Sequence, residues 1–203
     1  GGYFTIGINK LFGKNAMTNF TSGMRKIIPA MPLWSAQISY PPDLSVIKTK
    51  QQVINTSNKK AIVYFPSCIS RMLGTYEGKE KNIMETFISV CNKSGIEVHV
   101  LENAVGSCCS QIFSSKGFKD AYRFTANNII GKLWKSSNEG ALPIVIDVSS
   151  CAYTLHHIRP ALEDANKIKF DQLTILDSVD FLHDVVMPVA TIQQKKNNIV
   201  LHP

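Results

Sequence analysis

From residue 61 onward, the chain alternates short β-rich apolar runs with amphipathic helical segments. AIVYFPSC predicts a first strand, IEVHVLENA a second, LPIVIDVSSC a third and FDQLTILDS a fourth. Between them, YEGKEKNIMETFISVCNKSG and SKGFKDAYRFTANNIIGKLWKSSNEG have helical apolar spacing and end near Gly95 and Gly140. Strands that alternate with helices indicate βαβ units, so we expect an α/β fold with a Rossmann-like parallel sheet and flanking helices.

Three more elements are predicted in the C-terminal part of the chain. YTLHHIRPALEDANK and VDFLHDVVMP have helical patterns, and NNIVLHP is strand-like. This last run, preceded by two lysines, echoes KKAIVYFPSC near residue 60. The echo predicts that a second repeat of the same unit begins here, and that the sequence is a piece of a longer protein.

Residues 1–60 differ from the rest in charge and in pattern. They hold eight Lys or Arg residues against one acid, Asp43, whereas the remaining 143 residues hold 14 of each sign. We expect a basic amphipathic helical leader at residues 1–34, a polar linker broken by Pro41 and Pro42 at 35–60, and the α/β domain at 61–203. The leader suits packing on a neighbouring domain, and it also suits contact with an anionic membrane surface.

The composition excludes several classes of protein. A hydrophobic fraction of 44% with 18% charged residues is typical of a globular chain rather than a disordered one. There is no continuous apolar window long enough for a transmembrane helix, and residues 1–34 lack the pattern of a secretory signal. The basic excess belongs to the leader, whose aromatic and basic residues do not form a nucleic-acid-binding pattern, so no nucleic-acid partner is predicted.

Four of the five cysteines follow predicted strands. Cys68 comes after the first strand, Cys108 and Cys109 after the second, and Cys151 after the third. The carboxyl ends of parallel strands share one sheet edge, where open sheets bind ligands, so we expect these four thiols to converge. Cys91 lies inside a predicted helix and is expected to be a core thiol. The five cysteines are an odd number and lack the regular spacing of a disulfide framework, which favours a reducing, cytoplasmic compartment.

Four converging thiols suit a Zn²⁺ site or an iron–sulfur cluster. Structural zinc sites usually use CxxC pairs, which this chain lacks, and 39 residues lie between Cys68 and Cys108. Tertiary structure must therefore assemble the ligands. A vicinal disulfide between Cys108 and Cys109 would be strained, but both sulfurs can face a multi-iron cluster. The alternative is four unrelated buried thiols.

At these residues the chain resembles a known family. VYFPSCISRMLG, CCSQIFSSKGF and PIVIDVSSCAYTL are similar to the signatures of the cysteine-rich CCG domain of heterodisulfide reductase B subunits and glycolate oxidase iron–sulfur subunits. The resemblance is closest to the C-terminal part of FAD-linked, iron–sulfur-containing D-lactate dehydrogenases of the quinone- or cytochrome-dependent type, and it covers residues 61–203. It implies that an iron–sulfur cluster, of the 4Fe-4S type, is held by Cys68, Cys108, Cys109 and Cys151.

The resemblance also implies a role in electron transfer. FAD in the parent protein, outside these residues, would oxidise D-lactate or a similar D-2-hydroxyacid, and the cluster would pass electrons towards a quinone or cytochrome. The implied partners are the flavin and ferredoxin-like domains of the parent chain and an acceptor at the inner face of the cytoplasmic membrane, which the leader could contact peripherally. These residues alone are not expected to oxidise lactate, since no Gly-rich phosphate loop follows a predicted strand.

Two alternatives remain open. One is an iron–sulfur subunit of a glycolate or glycerol-3-phosphate oxidising complex, and the other is a zinc or thiol module without electron transfer. Heterodisulfide reductase B subunits have a further cysteine where this chain has Thr154, so their fused two-cluster arrangement is not expected.

The chain departs from the family at Ser110 and Ile112, which replace the motif glycine and a proline. If residue 110 has a positive φ, serine there costs about 1 kcal/mol or more. If it faces the cluster, the hydroxyl would crowd a sulfur or hydrogen-bond to it.

Other polar residues are given ordinary roles. Lys116, His156 and His157 are expected to be solvated or structural. Asp147, near the end of the third strand, is expected to orient a turn or an arginine such as Arg159.

Overall fold

The computed structural model describes residues 2–13, 15–34, 44, 60–73 and 81–191. One parallel sheet has the strand order β2-β1-β3-β4, with β1 at Ala61–Phe65, β2 at Glu97–Val100, β3 at Ile144–Ile146 and β4 at Ile175–Asp177. Helices flank this sheet, so the predicted α/β class and parallel sheet are confirmed. The strand predicted in NNIVLHP lies outside the described residues, as does most of the predicted linker.

The helices in the described part of the chain are α1 Gly2–Phe12, α2 Ala16–Ile27, α3 Cys68–Met72, α4 Ile83–Lys93, α5 Gln111–Ser115, α6 Lys119–Ser136, α7 Ser149–His156, α8 Asp164–Phe170 and α9 Ser178–Phe181. Two 3₁₀ turns, Ala104–Gly106 and Arg159–Ala161, and a π turn, Leu182–Val186, lie between or after them. None of the described helices is long and apolar enough to cross a bilayer.

The two long helices of the domain begin and end near the residues that the sequence indicates. At the start of α4, the side chain of Asn82 accepts a hydrogen bond from the Glu85 N–H at 2.9 Å, and the Glu85 carboxylate accepts one from the Asn82 N–H at 3.1 Å. The chain leaves α4 through Gly95, with φ +74°, and leaves the α6 region through Gly140, with φ +87°. A Cβ at Gly140 would lie 2.5 Å from the Gln172 carbonyl oxygen, so no larger residue fits there without movement.

The central strands β1 and β3 are buried on both faces because their residues alternate between two cores. Val63, Phe65, Ile144 and Ile146 pack with apolar residues of α6 and α7. The intervening residues, Ile62, Tyr64 and Val145, pack instead with α4 and with Phe181 and Val186. Burial on both faces explains why β1 and β3 have continuous apolar runs, whereas the half-buried β2 alternates Glu97 and His99 with valines. Cys91 is completely buried in the second core, as predicted.

Two predicted helices are interrupted. YTLHHIRPALEDANK does not form one helix: α7 ends at His156, a 3₁₀ turn follows, and α8 begins at Asp164. Pro160 lies in that turn, and proline lacks the N–H that a helix interior requires and clashes with the preceding turn. The segment VDFLHDVVMP begins in α9 and continues as the π turn rather than as a regular α-helix.

The basic leader forms two helices that contact each other. The chain turns between α1 and α2 at Gly13, with φ +97°, and the Met17 N–H donates to Asn9 Oδ1 at 2.9 Å. Met17 is buried, whereas Leu11 and Ile27 are each 80% exposed. The leader is therefore helical as predicted, and the domain boundaries remain predictions.

Candidate metal centre

The four cysteines other than Cys91 lie on loops and short helices that follow β1, β2 and β3. Cys68 begins α3, Cys108 and Cys109 lie between the 3₁₀ turn after β2 and α5, and Cys151 is in α7 after β3. The strand order reverses between β1 and β3, because β2 lies outside β1 and β4 lies outside β3. Such a reversal opens a crevice at the carboxyl ends of the strands, where open α/β sheets bind ligands. We call these four residues the thiol site.

Two sulfurs of the thiol site are in direct contact. Cys109 Sγ donates to Cys151 Sγ at 3.0 Å, and each of these residues is only 4% exposed. The Ser110 N–H donates to Cys108 Sγ at 3.3 Å. Cys68 and Cys108 are half-buried, and all four thiols are free. The structure thus brings residues from separate strand loops together, and it joins Cys109 to Cys151 most closely.

The hydrogen bonds among the sulfurs shift the pKa values of these thiols in different directions. The bond with Cys109 lowers the pKa of Cys151, because Cys151 accepts and its thiolate form is stabilised. The contact with Cys109, together with burial, raises the pKa of Cys108. The contact with Cys108 lowers the pKa of Cys109, but donation to Cys151 and burial outweigh it, and the result is about 11. Within this hydrogen-bonded set, Cys151 is therefore the thiol that most readily carries negative charge.

A buried arginine crosses the crevice beside the thiol site. Arg71, in α3, is 8% exposed, and its Nε donates to the carbonyl oxygens of Pro66 and Ser67, each at 3.2 Å. Its Nη1 donates to the Val105 oxygen at 2.6 Å and its Nη2 donates to the Ser107 oxygen. One guanidinium therefore joins the loop after β1 to the loop after β2. Ser67 and Ser107 are the residues directly before Cys68 and Cys108.

Asp147 fixes the third side of the crevice. It follows β3, and its Oδ2 accepts from the Tyr64 hydroxyl at 2.6 Å while its Oδ1 accepts from the Ser67 N–H at 2.8 Å. Burial, followed by the neighbouring Asp147, raises the pKa of Tyr64, so the phenol stays protonated and remains a donor. The expectation that Asp147 orients a turn is confirmed. The expectation that Asp147 orients Arg159 is wrong, because Arg159 pairs with Asp171 on the surface, with 2.7 Å between Arg159 Nε and Asp171 Oδ1.

Ser110, which was predicted to replace a motif glycine, is under backbone strain. Its φ is +75°, in the left-handed region that favours glycine, so the first expectation for this residue is confirmed. The side chain is completely buried, and its hydroxyl has no hydrogen-bond partner among the described residues. The Ser110 hydroxyl is therefore a buried polar group without a hydrogen-bond partner at the candidate site.

The donor set of the thiol site fits a soft metal or an iron–sulfur cluster. Four thiols are the ligand type that Zn²⁺ and iron–sulfur clusters take, and Arg71 is a buried cation that can balance thiolate charge. The four cysteines fit such a metal or cluster in the type of their ligand atoms and in their location at the carboxyl ends of the strands. Within the described residues, no group of three or more His, Cys, Asp or Glu has the geometry of a metal site. Cys68, Cys108, Cys109 and Cys151 therefore remain predicted ligands.

The other candidate residues lie apart from the crevice chemistry. Lys116, His156 and His157 are exposed, as their ordinary roles require. Arg71 was not among the predicted site residues. The available signal was that Arg71 is the only charged residue between positions 61 and 76, within an otherwise uncharged stretch that includes β1. A charged side chain is rarely buried unless it is paired with another group.

Comparison with known proteins gives one family match. Residues 62–156 match the family described as CCG: Cysteine-rich domain. No curated protein and no solved structure matches the chain. The matched range begins in β1 and ends with α7, so it contains the whole thiol site and the crevice that Arg71 crosses. Residues 62–156 are therefore similar to a CCG cysteine-rich domain, a type of domain typical of iron–sulfur-binding modules.

Proposed function

We propose that this chain is an iron–sulfur electron-transfer module of an oxidoreductase that oxidises D-lactate or a similar D-2-hydroxyacid through FAD. The observation that carries the proposal is the contact of Cys109 with Cys151, from the loops after β2 and β3, at the switch point of the sheet, where Cys68 follows β1. A 4Fe-4S cluster held by Cys68, Cys108, Cys109 and Cys151 would carry single electrons between a flavin and a quinone or cytochrome.

The chain's own residues have defined tasks in this proposal. The sheet holds the three loops at a fixed distance from one another, and Asp147 and Arg71 tie those loops together. Burial of Cys109 and Cys151 excludes water from the side of the site nearest the core. Backbone donors such as the Ser110 N–H, at 3.3 Å from Cys108 Sγ, stabilise negative charge on sulfur.

Iron and acid-labile sulfide content, measured anaerobically together with the visible spectrum, tests the proposal. We expect about four irons and four sulfides per chain, and their loss in Cys109→Ser. Cys91→Ser is the matched control, because Cys91 is a buried thiol in the other core and should leave iron content unchanged. Absence of iron after anaerobic reconstitution of the wild-type chain would contradict the proposal.

The thiol contact favours a second candidate, a zinc or thiol-cycling module. Sulfurs 3.0 Å apart are placed to exchange protons and to oxidise together. Stoichiometric zinc without iron, after anaerobic purification, would select this candidate over the first. The same metal measurement therefore decides between them.

The parent enzyme and its partners belong to the proposal as well. In a full-length protein carrying this domain, D-lactate should reduce the cluster, while glycolate and glycerol-3-phosphate should not. The exposed apolar side chains of the leader, such as Phe12 at 77% and Phe20 at 58%, support packing on a flavin or ferredoxin-like domain. Co-sedimentation with anionic vesicles would instead assign this surface to the inner face of the cytoplasmic membrane.

A further inference from the structure

The crevice holds a buried positive charge, the guanidinium of Arg71. Arg71 is 8% exposed, and no carboxylate in the described part of the chain lies within ion-pair distance of it. The nearby acid, Asp147, has one oxygen bonded to the Tyr64 hydroxyl and the other to the Ser67 N–H. A buried cation that meets only neutral carbonyl groups is costly, because burial removes hydration that dipoles replace incompletely.

A second cation lies on the same loop. Lys132, in α6, is half-buried, and its Nζ donates to Ser107 Oγ at 3.1 Å. Ser107 is therefore bound by Arg71 at its carbonyl oxygen and by Lys132 at its hydroxyl. Lys132 also has no ion-pair partner among the described residues. Two cations thus converge on the residue that precedes Cys108.

The groups around Arg71 show what this charge faces. Burial lowers the pKa of Arg71, and the groups that act against that lowering are Cys68, Cys108, Asp147 and Cys151, with Cys68 the strongest. The guanidinium lies beside two residues of the thiol site, because it donates to the carbonyl oxygens of Ser67 and Ser107, which directly precede Cys68 and Cys108. As thiols they are neutral and give the cation little compensation, but as thiolates bound to a metal they would carry negative charge.

We infer that Arg71 is the buried counter-charge of the metal-loaded thiol site, and that it sets the reduction potential of an iron–sulfur cluster there, with Lys132 as a weaker second cation. The inference rests on the proposed function. A fixed positive charge stabilises the reduced state, which is one unit more negative, and so raises the potential. Arg71 acts here through charge and position, and it is not itself a ligand.

The test is a potentiometric titration of the reconstituted chain under anaerobic conditions. Arg71→Gln should bind the same iron and sulfide as the wild type, but at a fixed solution potential its reduced-to-oxidised ratio should fall about tenfold, which corresponds to ~59 mV for one electron. Arg71→Lys keeps the charge and should stay close to the wild-type midpoint. Lys132→Gln should shift the midpoint in the same direction by less.

Arg159→Gln is the matched control, because Arg159 is an exposed arginine paired with Asp171 and should leave the potential unchanged. Arg71→Met provides a second neutral variant should Arg71→Gln fail to fold by circular dichroism. A midpoint unchanged in a folded neutral variant would overturn the inference while leaving the proposed function intact. Unfolding of both neutral variants beside a native Arg71→Lys would assign a purely structural role and also overturn it. Absence of iron from the wild type would overturn the proposed function itself.

Discussion

Cys109 Sγ lies 3.0 Å from Cys151 Sγ, although the two residues are 42 positions apart in the chain. One follows β2 and the other follows β3, and these strands are separated in the sheet by β1. The loop after β2 must therefore reach across the end of β1 to bring Cys109 to Cys151. This reach makes the pair a sensitive reporter of whether the crevice is correctly formed.

The pair should oxidise selectively in the metal-free protein. With diamide as oxidant, the two thiols lose two protons and two electrons to form a Cys109–Cys151 disulfide, and diamide becomes the hydrazine. Their contact makes this disulfide the expected product, and peptide mass spectrometry after alkylation in denaturant identifies it. Reconstitution with iron should suppress the reaction. A main product linking Cys108 to Cys109 would contradict the prediction.

Replacing Ser110 with glycine should stabilise the fold. Glycine relieves the strain of φ +75° and removes a buried hydroxyl without a partner, and we expect a gain of about 1 kcal/mol in the free energy of unfolding. Urea unfolding measures it. Gly117→Ser is the matched control, because Gly117 also has φ +75° with open space around it, and it should lose about 1 kcal/mol. A loss of stability in Ser110→Gly would show that the hydroxyl has a structural role.

Asp147 and Tyr64 should be energetically coupled. Asp147→Asn replaces one accepting oxygen with a donor, and we expect a loss of about 1 to 3 kcal/mol, against about 1 kcal/mol for Tyr64→Phe. The double variant should lose less than the sum of the two. Asp171→Asn is the surface control and should leave stability nearly unchanged, because an exposed ion pair contributes little. Strict additivity of the two buried variants would contradict the coupling.

Stability should fall above pH 9 partly because of Cys91. Burial raises the pKa of this thiol from 9.0 to about 11, so the folded state keeps a proton that the unfolded state releases. The contribution is present below about pH 9 and is lost as the pH rises towards 11, with a slope of roughly 1.4 kcal/mol per pH unit.

Cys91→Ala should therefore lose stability less steeply than the wild type between pH 9 and 11, as measured by urea unfolding under reducing conditions. Burial of Tyr64 also raises its pKa and affects both proteins, so the informative quantity is the difference between their slopes. Parallel slopes would show that Cys91 is not buried as a neutral thiol.

The sheet was predictable from sequence because its strands are short apolar runs with clear glycine and helix boundaries between them. The convergence of the cysteine-bearing loops at one edge followed from strand direction alone. The break at Pro160 was also visible in the sequence, although the helical spacing around it outweighed the proline in the prediction. The Cys109–Cys151 contact and the bridge made by Arg71 were not predictable, because both depend on how loops from different strands fold back over the sheet end.

The strand order has a consequence for how such a site is filled during biosynthesis. Because the predicted ligands come from three loops, the first at Cys68 and the last at Cys151, no short stretch of nascent chain can capture a metal by itself. The sheet must form before the pocket exists, so loading follows folding, and newly made chains pass through an empty, oxidisable stage. For the proposed cluster to form in air, a cell would have to deliver iron and sulfide faster than Cys109 and Cys151 can oxidise to a disulfide.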